Sequence, residues 1–548
     1  MRPLDWFVLA GSLVFIAGYG IRRGRGSDTV NKYLLAGKTM PWYAMALSIM
    51  ATQASAITFI STTGQAYVDG MRFLQFYFGL PLAMVILSAT AVPVFHRAGV
   101  YTAYEYLEKR FDAKTRVIVS IVFLIQRGLA VGLALSAPAI VLTVILGWPD
   151  RWTALIMGAI VIVYTVVGGI QAVTWTDFQQ MLIMILGLAA ALFMAVWLLP
   201  ADVSLRDALS IAGAAGRLNP VTFNLDWNDR YNLWSGLLGG MFVALAYFGC
   251  DQSQVQRYLT GKSIAQSRLS LLFNAVAKVP MQFFILLTGA MVFVFFTFVK
   301  PPMLFHQAEL DKVRRRPEYA RVEQRYEKAF EERRAIAVRL ARQSTPEAAA
   351  AFQQANRELE AARGEGARLA SADFNDTNYI FLTFVTRYLP AGVVGLILAA
   401  IFAAAMSTIS AEINSLATVT VIDVYKRFLV KEAADRHYLR VSQIATTFWG
   451  LYAVVTSQFV RNLGSLVEAV NMLGSLFYGG ILGVFVLAMF FKNVGGTGAF
   501  VGILAGEAAI FAAHYTKAMA FLWYNVMGCL VVILTGLLVS VFERRRQG

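Results

Sequence analysis

Two adjacent hydroxyl residues, Ser407 and Thr408, lie in a stretch otherwise made of Ala, Ile, Phe and Met, and a carboxylate, Asp177, lies in another apolar stretch. Hydroxyl oxygens are hard donors, and a small hard cation such as sodium is held by several oxygens at once. The same hydroxyls can instead bond back to carbonyls one turn earlier, as Ser and Thr in membrane helices often do. The pair alone therefore reads either as ion ligands or as self-satisfied helix residues. A carboxylate inside a bilayer is costly and usually functional. Two apolar runs are interrupted by small and polar residues: Ala51 to Thr58 (ATQASAIT), and Gly239, Gly240 and Gly249 followed by Asp251, Gln252 and Ser253. Helices broken near the midplane expose carbonyls and helix ends to ions and solutes, although small residues also serve ordinary helix packing.

No phosphate-binding GxxxxGK[ST] loop, HExxH, GxSxG or CxxC is present, and the four histidines, His96, His306, His437 and His514, stand at loops or helix ends. The chain reads as a non-enzyme. Without a phosphate-binding loop, energy is expected from an ion gradient, from the solute's own gradient or from a partner subunit. Cys250 and Cys529 fall in or near apolar helices and suggest no disulfide framework.

The elements that must position these residues are membrane spans. Of 548 residues 58% are hydrophobic and only 15% charged, far from a soluble composition. Thirteen apolar runs are long enough to cross a hydrocarbon layer of about 30 Å, from 4–21 through the ninth at 377–410 to the last at 519–541. The first run lacks a strongly basic start and is read as a retained helix rather than a signal peptide. The net charge of +15 reports topology rather than nucleic acid. Lys and Arg crowd alternate loops, for example Arg22, Arg23 and Arg25, then Arg97, Arg110 and Arg116, then Arg257, Lys262 and Arg268, and finally Arg544, Arg545 and Arg546. The opposite short loops carry little more than Arg72, Arg151, Arg461 and Lys517. By the positive-inside rule the N-terminus is outside and the C-terminus cytoplasmic, as an odd number of spans also requires. Residues 301–376, rich in Ala, Arg, Glu and Gln at helical spacing, read as a soluble extracytoplasmic helical hairpin with nearly balanced charge. Because it interrupts no recognisable block, it is expected to be dispensable.

Four ordered blocks carry a family resemblance: YTAYEYLEKRFD at 101–112, GGIQAVTWTDFQQ at 168–180, DQSQVQRYL at 251–259 and AAAMSTISAEINSLATVTVIDVYKRF at 403–428. The chain resembles the sodium:solute symporter family, which includes sodium-coupled glucose, proline, sialate, iodide, pantothenate and monocarboxylate transporters. The resemblance implies an all-α membrane protein of about 13 transmembrane helices with a LeuT-type 5+5 inverted repeat and a discontinuous first helix in each repeat. The expected division is 1–40 as an extra helix and cytoplasmic loop, 41–230 as the first repeat, and 231–300 with 377–491 as the second. The insert occupies 301–376, and 492–548 forms two further helices and a tail. The activity implied is sodium-coupled symport of a small organic solute across the cell's inner membrane, with no nucleic-acid partner. Sodium-independent or proton-coupled transport and a passive channel are the alternatives.

By the same resemblance, the co-transported sodium is bound by Ser407, Thr408 and the carbonyls of Ala404, Ala51 and Ala54. Asp177 stands where some relatives bind a second sodium, but one neighbouring hydroxyl is missing: Ser410 is followed by Ala411. Asp177 and Ser410 thus form a second sodium site, or Asp177 is a structural or hydrogen-bonding acid at the cytoplasmic helix end. The solute cavity is expected to be lined by Gln53, Ser55, Thr58, Gln75, Tyr77, Tyr247, Phe248, Lys278 and Asn471. Lys278 matches a sugar-contacting lysine in sugar-carrying relatives, yet Tyr77 replaces their glutamate and Ala244 their gate asparagine. A sugar, a monocarboxylate and an amino acid all remain open as the solute.

Overall fold

The computed structural model describes residues 1–146, 150–459 and 465–547; Arg461 and the side chains of Arg151, Arg544, Arg545 and Arg546 lie outside it, as do the ends of two apolar runs at 147 and 460. The described residues form an all-helical molecule without a named strand, in which nine helical stretches are long and apolar enough to cross a bilayer.

Both expected interruptions are present. Trp42–Gln53 and Ala56–Asp69 are separate helices joined through Ala54, whose ψ of 73° leaves the helical region. Gly240–Gly249 ends at Cys250, and Gln252–Leu259 starts afresh. Asp251 makes the second start possible, because its Oδ1 accepts the Ser253 backbone N–H at 2.8 Å. Backbone groups freed by such breaks must find partners inside the protein, since hydrocarbon offers none. Two glycines at positive φ make further turns: Gly169 (φ 54°) bends the Asp150–Trp197 run, and Gly392 (φ 86°) precedes Val393–Val419.

The ninth apolar run is not one helix. Thr377–Tyr388 is a separate short helix, and the long one runs Val393–Val419 before continuing in π-helical form over Thr420–Leu429. Pro390 explains the division: it cannot donate a backbone hydrogen bond and forces Leu389 out of the helical region, to φ −84° and ψ 151°. Hydropathy averaged over a window reads through this break. Helix 393–419, buried along nearly its whole length, packs against the N-terminal helix Pro3–Gly24 and against 150–197. Asp5 fastens its start by accepting the N–H groups of Gly392 (2.7 Å) and Gly395 (3.1 Å), where a negative charge suits the helix dipole.

Residues 319–370 do form a helical hairpin, Tyr319–Arg342 and Pro346–Ala370, with Thr345 capping and Pro346 opening the second helix. The hairpin is fastened to the helices beside it rather than standing apart from them. Arg333, only 2% exposed, donates from Nη2 to the carbonyl of Phe296 at 2.7 Å near the end of helix Ile264–Phe298, and from Nη1 to Asn356 at 3.1 Å. Arg217 ties Glu360 (2.7 Å) to the Val68 carbonyl at the end of helix 56–69. Arginines in the loop and in the hairpin thus satisfy carbonyls at the ends of two core helices. Arg333→Ala leaves a buried carbonyl and a buried amide oxygen without this partner, and is expected to cost about 1–3 kcal/mol, read as a lower thermal unfolding midpoint of the purified protein. An unchanged midpoint contradicts the anchoring role.

Candidate functional site

The hydroxyl pair is drawn against the first helix break. Thr408 Oγ1 donates to the carbonyl of Thr52 at 3.1 Å, and Ser407 Oγ donates to Asp177 Oδ1 at 2.7 Å. Neither hydroxyl turns back to its own helix; Ser410 does, donating to the Ser407 carbonyl at 3.0 Å. A hydroxyl that gives its proton away still has lone pairs for a cation. Ala51, Ala54 and Ala404 are fully buried, and 51 and 54 belong to the end of helix 42–53, where the last carbonyls have no partner within the helix.

Asp177 is the centre of this cluster. Ser48 Oγ donates to its Oδ2 at 2.5 Å, and the Arg257 guanidinium stands 3.7 Å from the same oxygen. Arg257 also reaches Thr52 Oγ1 at 3.4 Å through Nε. Counted from sequence as a cytoplasmic loop cation, Arg257 is one of the largest fully buried side chains in the protein. Its place on the short helix 252–259, beyond the second break, folds it under helix 42–53. Arg116, counted the same way, is also buried and pairs with Asp423 (2.7 Å) and Glu108 (2.6 Å).

Beside this cluster lies a central cavity of about 120 Å³. Gln53, Ser55, Thr58, Tyr77, Tyr247, Phe248 and Asn471 line it, together with Thr408. Gln75 does not: it is buried, donating to the Tyr231 carbonyl (2.8 Å) and accepting the Thr222 N–H (2.8 Å), and so ties the 3₁₀ segment Gly70–Tyr77 to the distant loop that holds residues 222 and 231. Lys278 does not line it either. Its ammonium is fully buried 5.6 Å from the centroid of the Tyr77 ring, whose residue forms the wall.

The cavity also exposes charges that the sequence reading missed. Arg127, from helix Ala113–Leu146, and Glu412, from helix 393–419, both line it. Arg127 Nη1 donates to Glu412 Oε1 at 2.7 Å, and Nη2 donates to the Tyr478 hydroxyl at 2.6 Å and pairs with Asp251. Asp251 therefore caps the second helix break and neutralises Arg127 with the same carboxylate. An ionisable residue inside an apolar run, as Arg127 is, or just past the end of one, as Glu412 is, is the signal that could have found both. Averaging over strongly apolar neighbours hid them.

The Asp177–Arg257 pair yields a measurable coupling. Arg257→Met leaves a buried carboxylate uncompensated and is expected to cost about 3–5 kcal/mol. Adding Asp177→Asn should recover much of that loss, so the two substitutions are strongly non-additive. Additive losses in thermal or denaturant unfolding would show that the two groups do not act as a pair.

Comparison with known proteins gives this arrangement its context. Residues 33–308 and 355–506, well over half of the chain, match the sodium:solute symporter family. The chain is 28% identical to the sodium/glucose cotransporter of Vibrio parahaemolyticus over 563 aligned residues, covering 100% of this chain and 92% of the relative. It is 27% identical to the sodium/sialic acid symporter of Aliivibrio fischeri, with 97% and 92% covered, and 28% identical to the human sodium-coupled monocarboxylate transporter 1, with 92% and 72% covered. A substrate-bound, outward-open Na+-coupled sialic acid symporter shares the fold, with a TM-score of 0.78 at 23% identity over 99% of this chain and 98% of that one. The chain belongs to the sodium:solute symporter family and is a membrane transporter, not an enzyme, with sodium as its co-transported ion.

Proposed function

We propose that the protein carries a small neutral or zwitterionic organic solute across the inner membrane together with one sodium ion, by alternating access around the central cavity. The observation that carries this reading is the direction of Ser407 and Thr408, which face Asp177 and the Thr52 carbonyl rather than their own helix. The proposed sodium ligands are the two hydroxyl oxygens and the carbonyls of Ala51, Ala54 and Ala404. The single-sodium stoichiometry is supported by Arg257, a tethered cation already 3.7 Å from Asp177, and by Ser410, whose hydroxyl is engaged by the Ser407 carbonyl.

The proposed solute site is the cavity beside the ion ligands, which Thr408 lines from the ion side. Its volume, far below the roughly 300–1,000 Å³ of pockets for drug-sized ligands, supports a solute of few atoms. Arg127 is already neutralised by Asp251 and Glu412, which argues against an anion as the solute. The proposed repeats are 41–230 and 231–300 with 377–491, each opening with a broken helix. Thirteen crossings are proposed, with the N-terminus outside, the C-terminus in the cytoplasm and the 301–376 insert outside.

Ser407→Ala combined with Thr408→Ala is expected to abolish sodium-stimulated uptake in proteoliposomes while the protein still folds and inserts; unchanged sodium dependence removes the site assignment. The coupling itself has an electrical signature. One sodium with a neutral or zwitterionic solute moves one positive charge, to which 100 mV contributes about 2.3 kcal/mol, or roughly fifty-fold accumulation. With equal sodium on both sides and an inside-negative potassium diffusion potential, uptake should be potential-driven and sodium-requiring. Sodium-gradient uptake indifferent to the potential points to an anionic solute, and uptake without sodium contradicts symport.

A further inference from the structure

One carboxyl group is buried in an apolar helix outside the transport site. Helix Gly496–Thr516 packs against helices Leu466–Phe490, Phe521–Gln547 and Ala113–Leu146, and Glu507 stands in the middle of its length. Both carboxyl oxygens of Glu507 are buried without a hydrogen-bonding partner among the described residues. Oε1 lies against Gly480 of helix 466–490, in space that an added Cβ would fill. One turn along, Phe511 packs on Phe477 of the same helix with ring centroids 5.7 Å apart, and Ile510 packs on Gly528 of helix 521–547.

The ionisable groups on these helices are engaged elsewhere or stand at a distance. Arg127 is held by Asp251, Glu412 and Tyr478, Arg116 by Glu108 and Asp423, and Glu468 by Arg230. His514, about two turns from Glu507, lies beside the Tyr524 ring with centroids 6.0 Å apart. Cys529 is a buried free thiol, and Tyr515 is 90% exposed. Lys114 and Glu543 belong to the opposite end of the bundle, where Asp112 and Glu543 approach Gly496 and Gly495. Among the described residues Glu507 therefore has no counter-ion.

An ionised carboxylate in such a place is costly, and a neutral carboxylic acid much less so. A metal cation would need several oxygens, and among the described residues no cluster of three His, Cys, Asp or Glu side chains could hold one. A proton needs a single oxygen.

We propose that Glu507 is a proton-binding site, filled while helix 496–516 rests on Gly480 and emptied when the carboxyl reaches water. It lies in the 492–548 segment, outside both proposed repeats, so its proton regulates the transporter and does not drive it. Helix 466–490 is the link, since it also carries Asn471, Gly474 and Tyr478 on the cavity wall. Loss of the proton loosens the support behind that wall. The proton site itself does not depend on which solute the cavity takes.

The test uses the purified full-length protein and compares wild type with Glu507→Gln, whose amide imitates the neutral acid. In infrared difference spectra at neutral pH, the wild type should show one additional protonated-carboxyl carbonyl band, shifted in deuterated water and lost as the pH is raised. Stability supplies the second readout. The folded protein holds a proton that the unfolded chain has released at neutral pH, so this group lowers the folding constant by up to about tenfold for each pH unit of increase. Glu507→Gln should remove that part of the fall in thermal midpoint. Absence of the additional band overturns the inference, and so does a midpoint that falls with pH equally in the two proteins. If Glu507→Gln does not fold, Glu507→Leu, which suits the apolar surroundings, replaces it in both measurements with the same outcomes decisive.

Discussion

Backbone polar groups within hydrocarbon must be satisfied by the protein itself, and the arrangement of this transporter follows from that constraint. A helix broken at Ala54 and another broken at Cys250 release carbonyls and N–H groups inside the buried interior of the molecule. The first break is answered from a distant helix, where the Thr408 hydroxyl takes the Thr52 carbonyl, and the second locally, where the Asp251 carboxylate takes the Ser253 N–H. These interactions bring helix 393–419 to the first break and the Arg127 cluster to the second. A site for an ion and a cavity for a solute thereby become neighbours.

Charge neutralisation is the second constraint, and arginine meets it three times. Arg257 faces Asp177, Arg127 bridges Asp251 and Glu412, and Arg116 joins Glu108 and Asp423. Each partnership spans helices distant in sequence. Replacing such a pair with apolar residues of the same volume is often neutral for stability, whereas removing one partner costs several kcal/mol. The pairs therefore act as geometric locks more than as net sources of stability. In the first two they also set the charge presented to whatever enters the site.

The helical hairpin shows how a polar segment becomes part of an apolar core. Its mutual packing buries Tyr326, Phe330 and Leu359, and it joins the transporter both by apolar contact, with Ala337, Leu340 and Phe352 in the main core, and by polar contacts that include a buried guanidinium on the Phe296 carbonyl and an ion pair through Arg217. The family match stops at residue 308 and resumes at 355. Arg333, which lies between the two matched stretches, nevertheless reaches the Phe296 carbonyl at a core helix end.

The sequence by itself determined the membrane class, most helix positions and both breaks, because hydropathy, small-residue interruptions and the Asp251 cap are local in the chain. Ser407, Thr408 and Asp177 were legible as candidates for the same reason: a polar side chain in an apolar run announces itself. Proline 390 was equally visible, yet averaging over its neighbours merged two helices into one. Only the tertiary structure decided which polar residues meet. It placed Arg257 in the core rather than in a loop, left Gln75 and Lys278 off the cavity wall, and brought Arg127 and Glu412 onto it, 285 positions apart in sequence. The physical reason is that spacing along one helix fixes which face a residue occupies, whereas the partner that neutralises a buried charge is chosen by the packing of helices against one another.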